Sequence, residues 1–121
     1  MMYFYDSYAV IEYFKGSESH KKYFEEDIGV LAPTNLIEIH HAILREFSEK
    51  EADEFTRIIS VLAVDPDIEI LIAASKFRKA NNKSGLSYAD CIGYVYAIKN
   101  GMKFLTGDPA FRGFPGVEFV S

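Results

Sequence analysis

Short apolar runs alternate with longer helix-period stretches along this chain, and no two apolar runs meet across a tight two-residue turn. Strands spaced in this way are not hairpin partners, and they need crossovers of a dozen or so residues, usually a helix, to pair in parallel. The expected fold class is therefore α/β: a three-layer αβα sandwich around a central parallel sheet of four or five strands. A chain of 121 residues can build one core of that size and has too little length for a second, so residues 1–121 are expected to form a single domain.

Read in order, residues 3–5 form a strand ending at Asp6 and Ser7, and Val10, Ile11 and Phe14 then recur at helical spacing up to Gly16. A second short helix over 17–27 carries Tyr23 and Phe24, and an apolar strand over 28–32 is closed by Pro33. Thr34 or Asn35 can cap the next helix, with Leu36, Ile37, Ile39, Ile43, Leu44 and Phe47, and Ser48 caps another reaching Leu62. Residues 61–64 overlap the end of that pattern and predict a short strand before the turn Asp65-Pro66-Asp67. A helix over 67–79 breaks at the polar loop 81–85, Ser87 opens the last long helix, and Asn100-Gly101 stops it. Strands over 104–106 and 117–120 complete the set.

Among eighteen acids, position selects four. Asp6 follows the first strand and Asp108 lies just beyond the strand over 104–106, so both fall at carboxyl ends of parallel strands, where ligands bind in open α/β sheets. Glu38 and Asp90 lie in the first turns of helices whose amino termini open onto the same edge. Asp6, Glu38 and Asp90 also sit beside core-forming residues, and several like charges buried together require shared protons or a cation. The lone cysteine, Cys91, leaves no cysteine-based zinc pattern, so a carboxylate set favours a hard, oxygen-preferring ion, Mg²⁺ or Mn²⁺. Such an ion orients a phosphodiester and acidifies a water for in-line attack at phosphorus.

The formal net charge of -5 counts against a nucleic-acid partner unless cations neutralise part of it. The densest basic run, residues 76–83, offers Lys76 and Lys79 as phosphate contacts, and Arg112 follows Asp108 closely enough to act likewise. The bland reading of that run is a solvated helix end whose cations favour the carboxyl-terminal dipole. No apolar stretch approaches the roughly 18 residues of a membrane span, and the opening residues lack the pattern of a secretory signal, so no membrane association and a cytoplasmic location are expected.

Four segments together carry a family resemblance: Tyr5-Asp6-Ser7, Asn35-Leu36-Ile37-Glu38, Leu86-Ser87-Tyr88-Ala89-Asp90, and Leu105-Thr106-Gly107-Asp108-Pro109-Ala110-Phe111. In this order, over essentially the whole chain, they resemble the PIN domain family, whose nucleases include VapC-type toxins of toxin–antitoxin pairs. The resemblance implies a parallel αβα sandwich, dependence on Mg²⁺ or Mn²⁺, and endonucleolytic cleavage of RNA. By position it makes Asp6, Glu38, Asp90 and Asp108 the catalytic and metal-binding acids, with Ser7 and Thr106 as hydroxyls that orient a carboxylate or a bound water. It implies an RNA substrate, an antitoxin protein and a second copy of the chain as partners. Tyr8 departs from the pattern, since many toxin members carry a small polar residue there.

Each of these residues also has a plainer role open to it. Asp6 and Asp90 can serve as helix-end residues, Asp108-Pro109 as a turn, and Thr106 as an ordinary strand residue. His40 and His41 diverge by about 100° on a helix and cannot both join Glu38 at one ion. Cys91 reads as core, and Tyr88, Tyr94 and Tyr96 read as core or dimer packing in preference to base stacking. An Asp-x-Asp phosphatase opening is absent, as Asp6-Ser7-Tyr8 stands in its place. The competing functions are a non-catalytic PIN-like protein-binding module and a structure-selective DNA nuclease.

Overall fold

Four parallel strands form the central sheet in the order β2-β1-β3-β4. They are β1 Met2–Tyr5, β2 Ile28–Val30, β3 Lys103–Thr106 and β4 Val117–Phe119. The structure, a computed structural model, describes residues 1–121. Helices α1 Ser7–Phe14 and α2 Glu18–Glu25 link β1 to β2. Helices α3 Pro33–Glu46, α4 Glu49–Ile59, α5 Ile68–Ala80 and α6 Tyr88–Lys99 link β2 to β3. This is the parallel αβα sandwich that the alternation predicts, with the sheet at the lower of the two expected strand counts. No helix is long and apolar enough to cross a membrane.

The register explains how two short strands serve two cores. Phe4 pairs with Phe104 and Tyr5 with Leu105, so strict alternation sends Tyr3, Tyr5 and Leu105 to one face and Phe4 and Phe104 to the other. The first face buries Val10, Ile39, Ile43 and Ala52 from α1, α3 and α4. The second buries Ile70 and Ala74 from α5 and Tyr94 and Ala97 from α6. Helix α6 comes close because Gly93 has no side chain: a Cβ there would meet Phe4 Cε1 at 2.5 Å and Phe104 Cε1 at 2.9 Å.

Two expectations need correction. Helix α3 is capped neither by Thr34 nor by Asn35; Ala32 is its N-cap and Pro33 its first residue, where the missing N–H of proline costs nothing. Asn35 lies inside the first turn and reaches back, its Oδ1 accepting the Ala32 N–H at 2.9 Å. The helix expected to reach Leu62 ends at Ile59 and gives way to a 3-10 turn, Ser60–Leu62. The strand expected over 61–64 is reduced to one parallel bridge between Leu31 and Ala63. Pro66 explains why it goes no further, because proline lacks a ladder N–H and restricts the residue before it. The caps at Ser48 and Ser87 form as predicted, accepting the N–H of Glu51 at 3.1 Å and of Asp90 at 3.0 Å.

From β1 the chain passes to β2 on one side, while β3 lies on the other. Strand order therefore reverses at the β1/β3 pair, and the carboxyl ends of these two strands border a crevice of the kind that takes ligands in open α/β sheets.

Candidate functional site

Asp6 stands directly at that crevice. Its backbone N–H donates to Leu105 O at 3.0 Å, tying it to β3, and the residue is only 3% exposed. Thr106, the fully buried last residue of β3, donates from Oγ1 to Asp6 Oδ2 at 2.6 Å. The same oxygen accepts the Asp108 N–H at 3.1 Å, so one hydroxyl ties the first acid to the last.

Glu38 is reached through a second buried relay. Asn35, fully buried, donates from Nδ2 to Ser7 Oγ at 2.9 Å, and Ser7 Oγ donates to Glu38 Oε1 at 2.7 Å. A hydroxyl has one proton to give, and this chain of donors gives it to the carboxylate. Asp90 closes a capping box at the start of α6, where its Oδ2 accepts the Ser87 N–H at 2.8 Å. Asp108 Oδ1 accepts the Ala110 N–H at 2.9 Å and so caps the 3-10 turn Pro109–Phe111. The plainer capping roles are thus real, and each occupies a single oxygen. A named donor fixes at least one carboxyl oxygen of each of the four acids.

The electrostatics show that the four share one neighbourhood. Burial pushes the Asp6 carboxyl up to about 8, and the charges of Asp90 and then Glu38 push the same way, against the Thr106 hydroxyl and the Ser7 amide. Asp90 is raised first by burial and then by the charge of Asp108, while the Ser87 donors and a hydrogen bond shared with Asp6 oppose the rise. No lysine, arginine or histidine forms an ion pair with any of the four. Nowhere do three or more His, Cys, Asp or Glu side chains close on a common point as in a finished metal cage. The chemistry of the donor set fits a hard divalent cation: all oxygen, largely removed from water, mutually repelling and without a protein counter-charge.

The remaining residues sort cleanly. Lys76 and Lys79 are exposed on α5 and Arg112 is exposed beyond the 3-10 turn, its guanidinium 4.2 Å from the centre of the Phe119 ring. None of these three forms an ion pair with the acids. His40 is held by Asp53 at 2.7 Å and His41 is exposed on the same helix. Cys91 is buried, and burial, aided by the Asp90 charge and opposed by Arg78, pushes its thiol up to about 11, which keeps it protonated and unreactive. Tyr94 belongs to the core, as expected, but Tyr88 does not and is 65% exposed. Tyr8 lies across Gly107, where a Cβ would meet Tyr8 Cε1 and Val120 O, each at 2.3 Å. The bulkier Tyr8 therefore packs beside the acid-bearing loop, over the residue between Thr106 and Asp108.

Sequence reasoning missed two residues. Asn35 reads as a cap, and only the fold reveals its grip on Ser7. Arg78 lies within the basic run, but nothing in the spacing distinguishes it from Lys76 and Lys79; in the structure its Nε donates to Leu86 O at 3.1 Å beside α6.

A family model described as PIN domain matches residues 3–117. A search of curated proteins gives no significant match. Among solved structures, the chain is similar to a toxin-antitoxin complex from Klebsiella pneumoniae, with a TM-score of 0.77 at 16% identity over 98% of this chain and 96% of that one. It is also similar to VapBC2 from Rickettsia felis bound to a DNA fragment from the promoter, with a TM-score of 0.74 at 14% identity over 99% and 98%.

Proposed function

Because the chain belongs to the PIN domain family, we propose that it is a divalent-metal-dependent endoribonuclease and the toxin of a toxin–antitoxin pair. One observation carries the chemistry: four carboxyls are oriented by hydrogen bonds at the switch point of the sheet, burial and neighbouring carboxylates raise the proton affinity of Asp6 and Asp90, and no cationic side chain pairs with any of the four. Asp6, Glu38, Asp90 and Asp108 would hold Mg²⁺ or Mn²⁺. When bound, such an ion supplies a Lewis acid for the phosphodiester and lowers the pKa of a water.

The chain's own residues supply orientation and proton traffic. Thr106 and Ser7 aim Asp6 and Glu38 by fixing one oxygen of each, as outer partners of metal-binding carboxylates do. Asn35 holds Ser7 so that its proton points at Glu38. Asp6, protonated until about pH 8 in the metal-free protein, must give up that proton for its full charge to act. The toxin–antitoxin complexes among its structural relatives support an antitoxin protein as partner.

The test is incubation with mixed labelled RNAs and DNAs in Mg²⁺, Mn²⁺ or EDTA. We expect metal-dependent internal cleavage of RNA, abolished in Asp6→Asn. Equal RNA degradation by the wild type and Asp6→Asn would place the activity elsewhere, and cleavage of DNA alone would replace the substrate. An adjacent gene for a DNA-binding antitoxin, co-purifying with this chain, tests the toxin assignment separately.

A further inference from the structure

An exposed aromatic ring on the first turn of the helix that carries Asp90 has one face already covered by an arginine. Tyr88 is the first residue of α6, two before Asp90, and 65% of it is open to solvent. The Arg78 guanidinium lies 4.1 Å from the centre of the Tyr88 ring. That arginine does not wander: its Nε donates to Leu86 O at 3.1 Å, so a backbone bond from the same segment that presents Tyr88 holds the guanidinium in place. Arg78 has no carboxylate partner, and its terminal N–H groups remain as donors. Large exposed aromatics normally bury against the core, as Tyr94 does on the same helix. Tyr88 instead is clamped from one side only.

From this geometry we infer that Tyr88 and Arg78 form a preorganised platform for single-stranded RNA, with a nucleobase stacking on Tyr88 and the adjoining phosphate meeting Arg78. Every base has a π-face, so a fixed ring accepts any of them, and a guanidinium suits a phosphate by its forked donors. Residues two apart on a helix point to nearly opposite sides. Tyr88 therefore lies across the end of α6 from Asp90, and the stacked base belongs to a nucleotide flanking the cut rather than to the one being cleaved. The pair positions the strand and takes no part in the bond-breaking step. In this way the inference rests on the ribonuclease reading and adds a substrate-positioning subsite to it.

Binding can be measured without turnover on the full chain carrying Asp6→Asn, using short single-stranded RNAs with 2-aminopurine at successive positions. Stacking on Tyr88 should quench the probe at one position only. Tyr88→Leu, which keeps apolar bulk and loses the π-face, should remove that quench and weaken binding about five- to hundredfold, whereas Tyr88→Phe should stay within about twofold. Arg78→Lys, which keeps the charge and loses the fork, should weaken binding less than Arg78→Ala. In the active chain, Tyr88→Leu should raise KM for RNA more than it lowers kcat. Circular dichroism of each variant separates these effects from unfolding. The inference is overturned if folded Tyr88→Leu binds RNA like its parent, if Tyr88→Phe loses as much as Tyr88→Leu, or if the substitutions weaken only the binding of a protein partner. The two readings can fail separately: Tyr88-dependent RNA binding without cleavage by the wild type upholds the platform and overturns the ribonuclease, whereas metal-dependent cleavage indifferent to Tyr88 does the reverse.

Discussion

The Thr106 hydroxyl donates to Asp6 Oδ2 at 2.6 Å across a hundred residues of chain, and it also receives the backbone N–H of Asp108. Thr106→Val has the same shape but offers neither the donor nor the acceptor. We expect metal affinity and RNA cleavage to fall roughly 10- to 100-fold, as when other outer partners of a metal site are removed. Thr106→Ser should recover most of the loss. Isothermal titration with Mn²⁺ alongside cleavage rates checks both.

The metal-free protein should lose stability as pH rises from about 4 to about 8. Asp6 takes up a proton on folding because its carboxyl is raised from 3.8 to about 8, so the unfolded chain binds fewer protons in this window. The contribution is fully present below the unfolded value and is gone once pH passes the folded one. The slope from this one proton is at most about 1.4 kcal/mol per pH unit. Asp6→Asn should flatten it and leave the metal-free variant more stable than wild type at pH 9. Thermal melts in EDTA across the range decide this.

Cation binding should reverse that trend. Mg²⁺ or Mn²⁺ competes with the proton on Asp6, so the rise in Tm on adding metal should be larger at pH 8.5 than at pH 5. Asp6→Asn and Asp90→Asn should lose most of the rise. A shift equal in all three proteins would show that the ion binds somewhere else.

Gly93→Ala should destabilise the fold by about 1–3 kcal/mol, since the added methyl would overlap the Phe4 and Phe104 rings and push α6 off the sheet. Denaturant unfolding measures the loss. Because α6 carries Asp90, cleavage should weaken in the variant even where it remains folded.

Arg112→Ala tests the loop beyond Asp108. If its guanidinium meets a phosphate, the slope of log binding constant against log salt should become shallower by about 0.7, the value for one contact on a single strand. An unchanged slope would confine Arg112 to its packing on Phe119.

The sequence and the structure agree most closely where one local signal sufficed. Alternating strand and helix patterns, with caps at Ser48 and Ser87, led to the correct layers because those preferences are set within a few residues. The positions of Asp6 and Asp108 after their strands and of Asp90 in the first turn of α6 were also legible. Glu38, expected in the first turn of its helix, is instead the sixth residue of α3, because that helix starts earlier, at Pro33. The strand expected over 61–64 failed because its apolar residues said nothing of how early Pro66 would end the pairing. Thr34 and Asn35 were misplaced as caps because Pro33 can itself occupy the first helical position. The roles of Asn35 and Arg78 depend on partners 28 and 8 residues away, and such pairs have no spacing rule.

The four acids lie on separate pieces of the fold: the end of β1, the second turn of α3, the start of α6 and the loop after β3. No half of the molecule contains the set, and both faces of the sheet must be packed before α3 and α6 can bring their acids to β1. If the four acids act together as proposed, a partly folded chain is inert and cleavage reports the completion of folding. On the proposed ribonuclease reading, the folding reaction itself becomes a safety catch, released only when the last element docks.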